Sequence, residues 1–346
     1  MSILVTGGAG YVGSHICLDL LQSDNNVTVV DSLENSTKES LLNISKITNI
    51  GLTTKETKGR FSFYHFDLRD ETSMEKLFKY HKFEAIIHCA GLKSPEESKR
   101  FPLSYANSNI SASIHLFRQA IKNDVKNIIF SSSASVYGKQ KVMPIKEDIL
   151  GSVTNPYART KLIIEQILSD LHKSRSDMNI ICLRYFNPVG AHESGLIGEN
   201  PKNLPNNLMP RINNVVSGQQ KELLIYGNDY QTKDGTGVRD YIHIIDLAKG
   251  HQKALDYIKQ KEGMFNIFNL GRGKGSSVLE IIKAYEQASG VKIAKKITKR
   301  RPGDVPESWA SVSKAKKLMG WEAKLDLQRI CEDNWRWFLR NQEEFS

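Results

Sequence analysis

A doubly wound parallel sheet of the α/β class, joined to a smaller mixed α/β lobe, is the fold this sequence predicts, and three observations support it. Short apolar runs alternate with helical stretches through the first half of the chain. A glycine-rich turn links the first apolar run to the first helix. Beyond Asn187 the alternation breaks into loops rich in Gly, Pro and Asn, as a smaller lobe closing over a ligand would require. With 346 residues, 40% of them hydrophobic, the chain can bury a large core in two lobes.

Ser2-Ile3-Leu4-Val5-Thr6 reads as a buried strand, Gly7-Gly8-Ala9-Gly10-Tyr11-Val12-Gly13 as a turn, and Ser14 to Leu21 as a helix. Val27 to Val30 forms a second strand ending in Asp31, and polar Lys46 to Arg60 reads as a helix end plus loop. Phe61 to Phe66, Ala85 to His88, Asn127 to Ser131 and Ile180 to Leu183 are the next strands. Pro156 can open a helix whose next dozen residues are good helix formers. Tyr241 to Ile245 and Phe265 to Leu270 again read as strands, so the chain crosses back. These elements divide the chain into residues 1–187, with later strands returning at about 236–260, and a smaller lobe at 188–346.

Glycines three apart allow a tight turn, let backbone approach a pyrophosphate, and pack helix on strand, while the helix start offers free N–H groups to phosphates. Asp31 stands where an acidic side chain would accept hydrogen bonds from an adenosine ribose and repel a 2′-phosphate. The pattern therefore predicts a Rossmann-type domain that binds NAD rather than NADP. Tyr157 and Lys161, four apart on one helical face, follow Ser131-Ser132-Ser133, so a phenol, a cation and a hydroxyl come together. A cation about 5 Å from a phenol, at an effective dielectric of about 20, stabilises the phenolate by roughly 3 kcal/mol, or about two pK units. Such a tyrosine could take a proton from an alcohol near neutrality.

The spacing of the glycine turn, the serine stretch and Tyr157-x-x-x-Lys161 resembles the extended short-chain dehydrogenase/reductase family, and is similar to its UDP-sugar 4-epimerases over nearly the whole chain. The likeness includes Gly7 to His15, Asp31 with Asn35-Ser36, Ala90 to Lys93, Ser131 to Gly138, and Arg184 to Ala191. It continues through Asn206 to Pro210, Tyr226 to Tyr230, Gly235 to His243 and Arg300 to Asp304. It implies catalysis by Ser133, Tyr157 and Lys161, with NAD held by Gly7, Gly10, Tyr11, Val12, Gly13, Asp31, Asn35 and Ser36. Asp67, Leu68, Cys89, Ala90, Gly91, Lys93, Asn109, Ser131 and Phe186 complete the implied cofactor contacts, together with Tyr157 and Lys161. For a UDP-sugar it implies Lys93, Ser133, Tyr157, Asn187, Asn207, Leu208, Tyr226, Arg239, Arg301, Asp304 and Ser308, with the two arginines forked onto the diphosphate. The implied reaction is inversion at C4 between UDP-galactose and UDP-glucose through a 4-keto sugar. A small Ser308 is associated with acceptance of the N-acetylated sugars UDP-GlcNAc and UDP-GalNAc. Ser94 to Ser98 and Arg159-Thr160 depart from the family pattern, which bears on loop detail. A 4,6-dehydratase would carry an Asp-Glu pair where Ala134-Ser135 follow Ser133; a plain dehydrogenase would leave net NADH; and an NAD-sensing module would not need the three catalytic side chains together.

Other classes fit poorly. No segment is apolar enough to span a bilayer, and a first strand starting at residue 3 leaves no room for a signal peptide, so the cytosol is expected. Cys17, Cys89, Cys182 and Cys331 lack paired spacing and sit in apolar surroundings, which favours reduced thiols; the nine histidines show no ligand spacing, so no metal is expected. A net charge of +10 raises nucleic acid as a partner, but the densest basic run, Lys292 to Arg301, has no aromatic interleaving and reads as a solvated face with Arg301 turned inward. Ile110, Ile114, Phe117 and Ile121 make one apolar stripe, and Leu162, Ile163, Ile164, Ile167, Leu168 and Leu171 spread around another helix. Pattern alone leaves these as core helices or a partner surface; family resemblance favours a homodimer.

Overall fold

The structure, a computed structural model, describes residues 1–54, 59–149, 151–200, 207–301 and 303–342. Its centre is an eight-stranded sheet whose neighbouring strands all pair in parallel. The chain enters in the middle at Ser2–Thr6, winds one way through Asn26–Asp31 and Phe61–His65 to the short edge strand Leu52–Thr53, then returns. From Ala85–His88 it winds the other way through Asn127–Ser131 and Asn179–Tyr185 to Met264–Leu270. The reversal between Ser2–Thr6 and Ala85–His88 opens a crevice at the strands' carboxyl ends, the usual ligand position in such sheets.

Burial on both faces explains why these strands are continuously apolar. Ile3, Val5, Val27, Val29, Ile87 and Ile129 pack on one side under helices Tyr11–Gln22, Glu39–Thr48 and Ile244–Ile258. Leu4, Val30, Ile86, Ile128 and Phe130 pack on the other, against helices Glu71–Tyr80, Ala112–Lys122 and Pro156–Ser174. Successive residues thus serve opposite layers, as the two-residue period of a strand demands.

Several boundaries differ from those read in the sequence. The first helix begins at Tyr11, inside the glycine turn, because Gly10 is already its N-cap. Lys46 to Arg60 contains the helix end and the added strand Leu52–Thr53, while residues 55–58 lie outside the described residues. Only Tyr241–His243 of the run ending at Ile245 is strand; it pairs with Asn187–Val189 in a separate two-stranded sheet, and Ile244 starts the next helix. The element that returns to the large sheet is Met264–Leu270, with Ile244–Ile258 packed on the helix of the glycine turn.

The smaller lobe has its own core, in which Met209, Ile212, Leu223, Ile225, Ile281, Tyr285 and Ile330 meet. Its strands include Leu223–Tyr226 paired with Lys295–Thr298, and Val238–Arg239 between Ser276–Ser277 and Glu307–Ser308. The basic run is a solvated face as read: Lys292 and Lys295 pair with Glu286, Lys296 with Glu222 and Arg300 with Asp229. All four cysteines are free thiols, and among the described residues no helix is long and apolar enough to cross a membrane.

Candidate active site

The crevice at the strand reversal is a cleft of about 1070 Å³, part of it open to solvent. It begins at the glycine turn, where Gly7 adopts φ +70° and its N–H donates to the Val30 carbonyl at 2.8 Å. A Cβ at Gly7 would stand 2.7 Å from the Ala90 amide nitrogen, and one at Gly13 2.2 Å from the Gly7 carbonyl oxygen. Backbone therefore occupies the space that side chains would need, and the helix start of Tyr11–Gln22 faces the cleft with no acidic residue in its first turn. This is a cradle shaped for a pyrophosphate.

Asp31 ends the second strand and lines the cleft. Its carboxylate accepts from Ala9 N at 3.0 Å, Leu33 N at 2.8 Å and Ser36 Oγ at 2.9 Å. A carboxylate has about four lone-pair sites, so these bonds fix its orientation and leave capacity for a ribose hydroxyl. Asp67, whose carboxyl is held below the usual range by hydrogen bonds from Arg69, lies beside Phe66 and Leu68 in the same wall. The donor set and the cradle fit NAD.

The other expected cofactor residues divide into those that face the cleft and those that support it. Gly10, Tyr11, Val12, Asn35, Ser36, Leu68, Cys89, Ala90, Gly91, Lys93, Tyr157 and Lys161 line it with those already named. Asn109, Ser131 and Phe186 are not among its lining residues. Asn109 sits in a π-helical turn, Ala106–Ser111, where it accepts from Leu92 N and donates to the Leu92 carbonyl and to Thr160 Oγ1. It thereby holds the loop that carries Gly91 and Lys93. Ser131 is buried with its hydroxyl on His251 and Cys89, and Phe186 packs among Val136, Tyr137 and Ile145. Phe66, Ser108, Ala112 and Tyr185 line the cleft without having been singled out in the sequence. Tyr185 was legible in principle, since neighbours on an extended chain face opposite ways and Phe186 points into a core cluster; Ser108 and Ala112 depend on the π turn, which has no sequence signature.

Tyr157, Lys161 and Ser133 converge as expected. Asn155 caps the helix Pro156–Ser174 by accepting from Ala158 N at 2.8 Å, which sets Tyr157 and Lys161 in its first two turns. Both are buried, and Lys161 Nζ donates to the Ser131 carbonyl at 2.8 Å over the Phe130 ring. Ser133, two residues beyond the strand Asn127–Ser131 and N-cap of the short turn Ala134–Tyr137, hydrogen-bonds Tyr157 and accepts from Ser135. The expected depression of the phenol by Lys161 is not found. Burial raises Tyr157 above its ordinary value, against which the Ser133 hydrogen bond works, and burial pulls Lys161 down to about 8. Desolvation of each group outweighs the attraction that exposed charges would feel.

The expected sugar-nucleotide residues form a second cluster on the smaller lobe. Arg301 lies over the Tyr226 ring with its guanidinium carbon 4.0 Å from the centroid, and Arg211, which the sequence did not single out, donates to the Tyr226 hydroxyl at 3.1 Å. Arg239 is ion-paired to Asp304 and registers opposite Ser308 across two short strands. Asn187 N donates to the Asp240 carbonyl, which ties this cluster to the end of the large sheet, and Leu208 opens the helix Leu208–Val216. Glu199, also missed, links the two halves: its buried carboxylate accepts from Asn207 Nδ2 at 2.7 Å and lies 3.4 Å from Lys93 Nζ. Asn206 and Pro302 of the sequence motifs lie outside the described residues.

Comparison with known proteins agrees with this geometry. The family profile described as GDP-mannose 4,6 dehydratase matches residues 4–334. A UDP-glucose 4-epimerase of Bacillus subtilis is 48% identical over 99% of this chain and 98% of its own, and that of Yersinia enterocolitica is 47% identical over the full length of both. Among solved structures, the UDP-glucose 4-epimerase of Stenotrophomonas maltophila, with bound NAD and formylated UDP-arabinopyranose, superposes with a TM-score of 0.94 at 44% identity over 99% of both chains. That of Bifidobacterium longum, in complex with NAD+ and UDP, gives 0.92 at 44% identity over 99% of both. At full-length identities of this size the assignment follows directly: the chain belongs to the UDP-glucose 4-epimerases of the extended short-chain dehydrogenase/reductase family.

Proposed function

We propose that the protein interconverts UDP-galactose and UDP-glucose by inverting C4, with NAD held in the cleft throughout. The observation that carries this reading is that Tyr157, hydrogen-bonded by Ser133, and Lys161 stand together in the wall of the NAD-shaped cleft, while the smaller lobe carries Arg239 paired to Asp304 and Arg301 stacked on Tyr226. NAD, when bound, supplies the acceptor and then the donor of hydride. Tyr157 takes the proton from the sugar 4-hydroxyl and later returns it. Ser133 hydrogen-bonds the reacting oxygen and relays its proton, and Lys161 holds the nicotinamide ribose. Arg239 and Arg301 bind the diphosphate, a geometry for which planar guanidinium groups are suited. With the nucleotide so held, the 4-keto sugar turns about its diphosphate linkage and presents its opposite face.

The division of labour follows the chain: residues 1–187 with the returning helix and strand hold the cofactor, and most of 188–346 holds the nucleotide sugar. Asn187, Asn207, Leu208, Tyr226, Asp304 and Ser308 contribute to the sugar-nucleotide side, and the small Ser308 opposite Arg239 supports acceptance of UDP-GlcNAc and UDP-GalNAc. The working unit is a cytosolic homodimer. Its supporting surface is apolar and outward: Leu103 is 83% exposed, Phe101 54% and Ile121 37%, at and beside the helix pair 102–122 and 156–174.

The test is conversion of UDP-galactose to UDP-glucose by purified protein without added cofactor, with Tyr157→Phe as comparison. Conversion in wild type and its loss by at least about a thousandfold in the variant is the expected result. No conversion by wild type even with NAD supplied rejects the substrate assignment. Activity on UDP-galactose with none on UDP-GlcNAc rejects the broader specificity alone.

A further inference from the structure

Behind the three catalytic side chains lies a polar cluster that the proposed reaction does not use. Glu165, one helical turn after Lys161, is 3% exposed, and Arg184 on the neighbouring strand is 1% exposed. Arg184 Nη2 donates to Glu165 Oε2 at 2.6 Å, and Arg184 Nε reaches both carboxylate oxygens at 3.0 and 3.2 Å. The hydroxyl of Ser132, the residue before Ser133, donates to Glu165 Oε1. Arg184 also donates to the Glu147 carbonyl and lies over the Tyr137 ring, whose hydroxyl donates to Asn269. A buried ion pair of this kind gives little stability over an apolar pair of the same shape, so its presence beside the site calls for another role.

The geometry points to Glu165, held by Arg184, as a positioning residue that fixes Ser133 against Tyr157 and Lys161. The inference rests on the epimerase reading of the site. Helix Pro156–Ser174 grips the end of strand Asn127–Ser131 at two successive residues, through Lys161 on the Ser131 carbonyl and Glu165 on the Ser132 hydroxyl. Both grips come from one side, a turn apart, so the strand end can neither slide along the helix nor rotate about it. Ser132 N, which donates to the Leu183 carbonyl at 2.9 Å, fixes the same point from the neighbouring strand that carries Arg184. Ser133 is the next residue, where extended backbone gives way to the turn Ala134–Tyr137. Its hydroxyl therefore inherits its position from the clamp.

Ser132→Ala removes one hydrogen bond and leaves the ion pair satisfied, so the chain folds. Glu165→Gln together with Arg184→Met removes both charges and avoids a stranded arginine. In Ser132→Ala, kcat on UDP-galactose is expected to fall about tenfold to a hundredfold with KM within about twofold, because small displacements of a catalytic group are this costly. Amide exchange across residues 131–138 should rise in parallel, a readout independent of substrate. The double variant, which leaves the Ser132 hydroxyl without its carboxylate, should show the same fall in kcat with KM within about twofold. Wild-type kcat in folded Ser132→Ala, unchanged exchange at 131–138, or a KM rise matching the kcat loss overturns the inference. A folded double variant with wild-type kcat overturns it as well. Wild-type protein inactive on UDP-galactose, yet with exchange that responds to Ser132→Ala, rejects the substrate reading and leaves the clamp standing.

Discussion

Gly13→Ala separates steric fit at the cofactor cradle from every other reason a glycine might be needed. Gly13 lies within the helix Tyr11–Gln22, where alanine is the better helix former by about 1 kcal/mol, so the backbone itself favours the substitution. Space opposes it. The new Cβ would lie 2.2 Å from the Gly7 carbonyl oxygen, 2.8 Å from Gly8 Cα and 2.9 Å from the Gly7 carbonyl carbon, all of them backbone atoms. Ordinary contact begins at 3.4 Å, so the turn and helix must separate by about 1.2 Å in a region packed at interior density. Gly7 cannot yield alone, since its N–H is tied to Val30 and its carbonyl accepts from Gly10 N at 3.2 Å. Overpacking of this sort costs about 1–3 kcal/mol, which offsets the helix gain and leaves stability nearly neutral to about 2 kcal/mol lower. The larger effect falls on ligand, because the displaced helix start carries the N–H donors meant for the pyrophosphate. Loss of one charge-assisted hydrogen bond at about 1.5–3 kcal/mol lowers NAD affinity by roughly tenfold to over a hundredfold. The assay is the NAD content of purified protein and the Kd of the stripped protein by calorimetry, with the melting temperature measured alongside. Gly10→Ala is the graded control, since its Cβ would stand 3.3 Å from the same oxygen and needs only a slight adjustment. Full NAD content in Gly13→Ala with a Kd within about threefold of wild type would refute the steric reasoning.

Asp31→Ala deletes the acceptor for Ala9 N, Leu33 N and Ser36 Oγ, and should lower NAD affinity at least about tenfold while narrowing the preference over NADP, as read from the two Kd values. Arg239→Ala removes the proposed diphosphate ligand and leaves Asp304 without its ion-pair partner, so KM for UDP-galactose should rise by about ten- to a hundredfold with kcat within about threefold; an equal loss in kcat argues against a binding role. Lys161, depressed by burial to about 8, should set the alkaline limb of kcat/KM, with activity lost as pH rises through about 8 and the ammonium form disappears; a flat profile to pH 9.5 contradicts this. For stability the sign is opposite: the folded state releases this proton at about 8 and the unfolded chain at about 10.4, so stability is gained across that window, and Lys161→Met should abolish the gain in urea titrations at pH 8 and 10.

The fold was legible because the central strands of the large sheet are apolar on both faces and the key helix starts carry recognisable signals, the glycine turn before Tyr11–Gln22 and Asn155-Pro156 before Pro156–Ser174. What could not be read were features decided by tertiary contact. Tyr241 to Ile245 is apolar apart from His243, and His243 caps the following helix by accepting from Ile245 N, so strand becomes helix within one run. Asn109 was identified, but its action through the Leu92 loop and Thr160 depends on a π turn that leaves no mark on the sequence. Glu199 and Arg211 were passed over because an acidic residue in a loop and an arginine in a helix have no distinguishing spacing; only the fold brings them to Lys93, Asn207 and Tyr226.

The energetics of Tyr157 were the least legible of all, and the reason bears on how the site operates. Spacing alone places a cation beside a phenol and predicts a phenolate, but it cannot report that both groups are buried, or that the lysine spends a donor on the Ser131 carbonyl. Desolvation disfavours whichever form is charged, so it raises Tyr157 and lowers Lys161 at once. The protein's own groups thus keep the tyrosine proton in place, and Tyr157 becomes a base only when further positive charge or a better set of hydrogen bonds reaches it. Ser133 supplies part of this, since its hydrogen bond already works against the burial. The remainder has to arrive with the ligands, which means that proton abstraction waits for a filled cleft and a sugar hydroxyl in place of water. A site tuned this way leaves its base unformed until there is an alcohol to act on, and the proposed clamp of Glu165 and Arg184 acts on Ser132, the residue next to the one hydroxyl that already works against the burial of Tyr157.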